Sequence, residues 1–77
     1  MNKAWKTNGF DLTLSVNEAD GKFKSSISGN HVTVWSTDYD GKEVMKEDTT
    51  AAVRRISAEL GGNAEDSDEV CKEISEF

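Results

Sequence analysis

The sequence has little cysteine or histidine and no long apolar segment, and each shortage excludes a class of protein. The only cysteine of the 77 residues, Cys71, cannot form a disulfide within the chain and is typical of a reducing compartment. The only histidine, His31, excludes a metal site built from several histidines or cysteines. No apolar run approaches the ~18 residues of a membrane span, and no hydrophobic segment follows the basic start as in a secretory signal. We therefore expect a soluble, cytoplasmic protein with no membrane contact, metal or cofactor.

Motifs for catalysis and phosphate binding are also missing. Residues 38–41, Asp-Tyr-Asp-Gly, resemble the start of a calcium-binding loop, but Lys42 takes the fifth ligand position and the glycine comes two positions early. Cys71 and His31 are the only residues that could form a cysteine–histidine pair for nucleophilic catalysis. Cys71 follows the apolar Val70, which indicates a structural thiol. No glycine cluster precedes a Lys-Ser or Lys-Thr pair. We therefore expect a protein that binds and does not catalyse.

The charge of the chain is negative and unevenly distributed. The net charge is −6, which argues against direct binding of nucleic acid or anionic membrane, since both require a basic surface. Residues 61–77 contain six carboxylates and one lysine, and more acids occur between Asp38 and Asp48. Two interpretations stay open. The acids are a solvated face, or they form a surface that docks onto the basic groove of a nucleic-acid-binding protein.

Three segments alternate between apolar and polar residues, as half-buried strands do. They are FDLTLSV, KFKSSIS and HVTVWST, between residues 10 and 37. Asp20-Gly21 separates the first two and is a strong hairpin signal, because glycine accepts the positive φ of the turn. In the third segment Val32 and Val34 share the predicted core face. Asp40-Gly41 repeats the turn signal, and KEVMK after it is a candidate fourth strand.

The apolar spacing changes to that of a helix near Asp48. Residues 49–60 place Ala52, Val53, Ile56 and Leu60 on one stripe, and Gly61-Gly62 is a good helix stop. Val70, Ile74 and Phe77 predict a second, acidic helix over residues 64–76. The fold class is therefore α+β in a single domain, residues 1–77. It consists of an N-terminal segment (1–9), an antiparallel meander of three to four strands (10–46) and two helices packed on one face of the sheet (49–60 and 64–76).

Two aromatic side chains and the acids form the predicted partner-binding set. Trp35 is out of phase with the predicted core face, so that Trp35 and the nearby Tyr39 are candidate exposed anchors of a protein interface. The alternative is that the N-terminal segment around Trp5, or Met45, covers Trp35. The complete set is Asp38, Asp40, Glu65, Asp66, Asp68, Glu69, Glu73, Glu76, Trp35 and Tyr39. One continuous acidic patch requires that the Asp-Tyr-Asp turn and the terminal helix be neighbours.

The three strands, the helix TTAAVRRISAEL and the acidic AEDSDEVCKEISEF together resemble small phage-encoded inhibitors of the anti-CRISPR, DNA-mimic type. The resemblance lies in element order and charge over most of the chain. It implies a phage or bacterial inhibitor, in the host cytoplasm if phage-encoded, that blocks a basic nucleic-acid-binding protein. These inhibitors share no signature motif, so no functional residue is carried over from them.

A second resemblance in element order, with the helix opening EDTTAAVRRI, is to HicB-type antitoxin domains. SSISGNHVTVW lacks the Gly-rich apolar segment typical of those domains, and the chain leaves no room for a full second domain. This resemblance implies an alternative function, a regulatory module that self-associates through its sheet. The expected oligomeric state is therefore a monomer or a homodimer.

Overall fold

A computed structural model describes every residue from Met1 to Phe77 and confirms the α+β class. Four strands form an antiparallel meander in the order β1-β2-β3-β4. The strands are β1 (Asn2–Thr7), β2 (Phe10–Ala19), β3 (Lys22–Gly29) and β4 (Val32–Tyr39), and the helices are α1 (Lys42–Glu59) and α2 (Asp68–Glu76). A 3₁₀ turn, Ala64–Ser67, precedes α2. Neither helix has both the length and the apolar character needed to cross a membrane.

The core lies between one face of the sheet and the two helices. Its fully buried side chains include Leu14 and Ile27 from the sheet, Met45 and Val53 from α1, and Ile74 from α2. Burial of each such aliphatic side chain contributes about 1.5–3 kcal/mol. The alternate residues of β2 and β3, mostly serine, threonine, asparagine and lysine, form the opposite face of the sheet, which no helix covers.

The N-terminal segment, which was expected to lie before the sheet, forms its first strand. Asn8 and Gly9 both have positive φ, 47° and 81°, and join β1 to β2 in a tight turn. Trp5 and Thr7 of β1 point into the core and are buried. The Trp5 indole N–H donates to Ser57 Oγ of α1 at 3.0 Å, so the polar edge of the ring is satisfied inside the protein.

The predicted core face of β4 is wrong. Ile27 pairs with Trp35 and Ser28 with Thr33, so Val34 is an extra residue that forms a β-bulge. The bulge shifts the alternation by one residue. Tyr39 is therefore buried and Trp35 half-buried on the helix side, whereas Val32 and Val34 remain 62% and 55% exposed.

The prediction of a fourth strand at KEVMK is also wrong, and the sheet does not extend to residue 46. Asp40 and Gly41 form no hairpin turn, because a helix and not a strand follows them: extended Gly41 (φ −138°) is the N-cap of α1. Helix α1 thus begins at Lys42 and not at residue 49. Met45 and Thr49 are both fully buried, one helical turn apart, and they extend the buried stripe of α1 towards its start.

The two helices are antiparallel neighbours. Near the start of α1, Lys46 Nζ donates to the Ser75 carbonyl at the end of α2, at 2.9 Å. Further along α1, Arg54 lies 3.4 Å from the Asp68 carboxylate at the start of α2. Helix α1 lies over β3 and β4, and α2 lies beside β1. This arrangement brings the first turn of α1 next to the last turn of α2.

The predicted helix stop is confirmed. Gly61 has φ 81°, its N–H donates to the Ala58 carbonyl at 3.0 Å, and the Gly62 N–H donates to the Ser57 carbonyl at 2.9 Å. This pair of bonds is a Schellman motif, which requires the left-handed conformation that glycine adopts without strain.

Candidate binding surfaces

Asp66, one of the predicted partner-binding residues, has a structural role. Its carboxylate accepts the Thr7 hydroxyl at 2.9 Å and the Asn63 backbone N–H at 3.0 Å. Thr7 is buried at the end of β1, so Asp66 joins the 3₁₀ turn to the sheet. We infer that reversal of this charge would damage the fold as well as any surface that Asp66 belongs to.

Two further tail carboxylates have partners within the chain. Asp68 forms an ion pair with Arg54 at 3.4 Å, and Glu69 forms one with Lys3 at 3.6 Å. Both pairs are exposed to solvent, where an ion pair contributes only about 0–1 kcal/mol. Their local charge is nevertheless partly neutralised, which weakens their attraction for an external cation.

The antiparallel helices bring together a different group of acids, which we call the acidic end. It consists of Asp40, Glu43, Glu47, Glu73 and Glu76, from the loop before α1, the start of α1 and the last turn of α2. All five are exposed, and none belongs to any of the four ion pairs of the chain. The acidic end is therefore the part of the surface where carboxylates of both acidic segments that form no ion pair lie together.

Two lysines of α1 at this end are directed towards α2. Lys46 binds the Ser75 carbonyl, and Lys42 Nζ lies 5.4 Å from the centre of the Phe77 ring, a cation–π contact. Phe77 in turn packs edge-to-face on Phe23 of β3, with ring centres 6.1 Å apart. These contacts hold the last turn of α2 against the start of α1.

Two other predicted acids lie away from the acidic end. Asp38 pairs across the strands with Lys24, on the face of the sheet that no helix covers. Glu65 lies in the 3₁₀ turn before α2, at the opposite end of that helix. The acids of the Asp-Tyr-Asp turn and of the whole terminal segment therefore do not form one patch. Glu43 and Glu47 are not in the predicted set, because the helix was expected to begin at residue 49 and not at Lys42.

Tyr39 is a core residue and not an exposed anchor. Its side chain is buried, and its hydroxyl donates to the Asp48 carboxylate of α1. Burial raises the pKa of the Tyr39 hydroxyl above its ordinary value near 10, and the hydrogen bond to Asp48 raises it further. The tyrosine is therefore neutral over the physiological range and joins β4 to α1.

Trp35 lines an open groove between the sheet and the C-terminal half of α1. The groove has a volume of about 460 Å³. Phe10, Leu12 and Val34 from the sheet and Ile56 and Leu60 from α1 form its apolar wall together with Trp35, and Asp11, Arg55 and Glu59 add charge. The bulge places the consecutive residues Val34 and Trp35 at the same groove. Regular strand alternation predicts opposite faces for these two residues, so the sequence pattern did not indicate the groove.

Apolar side chains are also exposed along the outer side of β4. We call this surface the apolar edge and define it as the unpaired side of β4 with Val32, Val34, Trp35 and Val44. Val32, Val34 and Val44 are each more than half exposed. Strand β4 pairs only with β3, so its other side has backbone groups without a strand partner. Exposed apolar side chains beside an unpaired strand edge make this surface a candidate site of protein contact.

The two residues considered for nucleophilic catalysis lie in different environments. His31 is exposed in the tight turn between β3 and β4, whereas Cys71 is buried among core residues of α2. Burial raises the pKa of the Cys71 thiol, so the reactive thiolate is disfavoured near neutral pH. No group of three histidine, cysteine or carboxylate side chains is arranged to hold a metal ion.

The comparisons with known proteins add no relative. No family model matches this chain, and neither the curated proteins nor the solved structures contain a significant match.

Proposed function

We propose that this chain is a non-enzymatic inhibitor that binds a basic, nucleic-acid-binding protein through the acidic end. The observation that supports this function best is the meeting of five exposed, unpaired carboxylates at the junction of the two helices. Carboxylates on a rigid frame can take positions that phosphates occupy in a groove lined with lysine and arginine. The inhibitor then competes with nucleic acid for the groove.

The frame that carries the acidic end is held by packing. Ile74 of α2 and Met45 of α1 are fully buried within one turn of the acids, and Phe77 closes the end of α2 onto Phe23. A preorganised surface loses less conformational entropy on binding than a flexible acidic tail does. This difference favours a specific complex over non-specific attraction.

The position of the acids on α2 supports an external role. Glu73 and Glu76 lie in the last turn of α2, which contains no basic residue. Carboxylates at this end of a helix face the negative pole of the helix dipole, which costs about 0.3–1 kcal/mol each. Lysine would be the stabilising choice there. The presence of glutamate at both positions is therefore better explained by an external cationic partner than by the stability of the fold.

The proposal places the inhibitor in the cytoplasm, where nucleic-acid-binding proteins are accessible and the Cys71 thiol stays reduced. A phage-encoded inhibitor would act in the cytoplasm of the host.

The experiment is an affinity capture from nuclease-treated bacterial lysate with the tagged chain, followed by mass spectrometry. We expect one dominant nucleic-acid-binding protein, released as salt rises, because the screening length falls from ~10 Å at 0.1 M to ~3 Å at 1 M salt. The purified partner is then titrated with labelled nucleic acid in the presence of the chain. Competition between the two ligands is the expected result.

Two matched double variants make the experiment specific. Glu47→Lys/Glu76→Lys reverses two charges of the acidic end, and Glu18→Lys/Glu65→Lys makes the same change at exposed sites elsewhere. We expect the first variant to lose the partner and the control to retain it, with unchanged circular dichroism for both. Equal capture by all three proteins, or capture that high salt leaves unchanged, would refute the proposed function.

A further inference from the structure

We propose that the chain forms a symmetric homodimer in which β4 pairs antiparallel with β4 of a second copy. The dimer uses the part of the apolar edge from Trp35 onward together with Val44, and its paired strands contain no residue of the acidic end. It is therefore independent of the proposed inhibitor function, which can hold for a monomer or a dimer.

The two edges of the sheet differ in their protection. Strand β1 carries Lys3 and Lys6, and edge lysines discourage the addition of another strand. Strand β4 contains no lysine and is rich in β-branched and aromatic residues, with Asp38 as its only charge. Its bulge at Val34 lies near the start of the strand, so Trp35–Tyr39 keeps a regular register with β3. This five-residue stretch is the pairing segment.

Helix α1 extends the dimer surface above β4. Val44, Asp48, Ala51 and Arg55 follow helical spacing and form one exposed stripe. Asp48 accepts the hydroxyl of Tyr39, and Arg55 lies at the groove beside Trp35. Lys46 and Arg54 contact α2 from the other side of α1. The stripe thus borders β4 and faces away from α2.

The stripe is complementary to itself under two-fold symmetry. Asp48 lies above the end of the pairing segment and Arg55 lies above its start, so the symmetry axis passes near Thr37. Antiparallel pairing about Thr37 places Trp35 opposite the partner's Tyr39 on the helix side, an aromatic cross-strand pair. The two α1 helices are then antiparallel, and Asp48 faces the partner's Arg55 twice. Within each chain Arg55 also pairs with Glu59 at 2.9 Å, so the contact across the axis joins Asp48 to an existing ion pair. Ala51, which is small, lies near the axis and allows the helices to approach.

The same symmetry accounts for an exposed apolar residue. Val44, 54% exposed, projects one helical turn before Asp48 and reaches the mouth of the partner's groove, beside the partner's Arg55. The 18 residues of α1 span about 27 Å at ~1.5 Å per residue, which matches the length of β4. A strip of this length and two layers deep falls at the small end of specific interfaces, ~1,200 Å² in total. We therefore expect dissociation in the micromolar range.

The test is sedimentation equilibrium of the full chain over a concentration series. The expected result is an average mass that rises from the 8.5 kDa monomer towards twice that value. Asp48→Arg and Arg55→Asp, made singly, place like charges opposite each other and should each weaken the dimer about tenfold or more. The double variant Asp48→Arg/Arg55→Asp restores opposite charges across the axis. We expect it to recover dimerisation to within about threefold of the original.

Two further variants provide the controls. Glu47→Arg makes nearly the same charge change one residue away from the stripe and should leave the dimer intact. Val44→Asp adds charge to the apolar edge at a site that contributes little to the core, and should dissociate the dimer while the far-ultraviolet circular dichroism stays unchanged. A mass that remains monomeric at every concentration would overturn the proposal. Asp48→Arg also removes the acceptor of the Tyr39 hydroxyl, so the far-ultraviolet circular dichroism and thermal midpoint of each variant are measured first. A dimer in which a folded double variant is no better than either single variant would exclude this register.

Discussion

A buried hydroxyl pair between α1 and β3 allows a quantitative test of how the helix is held on the sheet. Thr49 Oγ1 donates to Ser25 Oγ at 2.8 Å, and both residues are fully buried. Thr49→Val keeps the shape of the side chain but leaves the Ser25 hydroxyl without its donor, which should cost about 1–3 kcal/mol. Ser25→Ala leaves the Thr49 hydroxyl without its acceptor and should cost a similar amount. A chain of this length has a total stability of roughly 4–12 kcal/mol, so either loss is large.

The double variant Ser25→Ala/Thr49→Val decides the mechanism. It removes both polar groups, so we expect it to be within about 1 kcal/mol of the original protein. Its loss should therefore fall short of the sum of the two single losses by at least about 1 kcal/mol, and by more where the single losses are larger. Urea unfolding followed by tryptophan fluorescence measures all four proteins, and an unchanged m-value confirms that stability alone has changed. Ser26→Ala, on the uncovered face, is the control and should change stability by less than about 0.5 kcal/mol. Additive losses in the double variant would show that the two hydroxyls do not depend on each other.

Three further predictions concern single positions. Gly62→Ala should destabilise the protein by about 1–3 kcal/mol, because a methyl group there would overlap the Thr7 hydroxyl; an unchanged urea midpoint would contradict this contact. His31→Gly should stabilise it by about 0.5–1 kcal/mol, because His31 has φ 65°, and a thermal midpoint that does not rise would show that the turn is unstrained. The folded pKa of Tyr39 is raised, so its contribution to stability is complete below the unfolded pKa near 10 and is lost as pH rises through the folded value. Tyr39→Phe should therefore reduce the loss of stability in alkali, and an identical alkaline profile for the two proteins would refute the buried contact with Asp48.

Much of the sheet was predictable from local signals. The alternation of β2 and β3 and the Asp20-Gly21 turn led to two strands that the structure contains. Strand β1 was predictable by the same rules, since Asn8-Gly9 is as strong a hairpin signal as Asp20-Gly21. The alternation of residues 2–7 is short, however, and by itself is a weak indication of a strand. Strand β4 was different. A bulge depends on how two strands pair, and Val34 has no local signal that marks it as the extra residue.

The candidate surfaces were less predictable than the fold. Asp-Gly is found both in hairpin turns and before helices, and only the burial of Met45 and Thr49 against the sheet shows that α1 starts at Lys42. With that start, Glu43 and Glu47 are one helical turn apart on an exposed surface. Their proximity to the end of α2 depends on antiparallel packing of the helices, which a linear pattern of charges does not contain. Asp66 has a structural role, since it accepts the Thr7 hydroxyl. This role could not be predicted from the sequence, because Thr7 is distant along the chain.

The contacts of β1 have a consequence for the order in which the chain folds. Trp5 reaches Ser57 and Thr7 reaches Asp66, so these bonds join residues 52 and 59 positions apart, whereas each hairpin closes through a tight turn. Closing long loops costs more chain entropy than closing short ones, and contacts of high sequence separation slow folding. We therefore expect the hairpins to form early and the docking of the 3₁₀ turn and α2 on β1 to come last. During synthesis β1 must wait until Ser57 and Asp66 have been made before Trp5 and Thr7 find their hydrogen-bond partners.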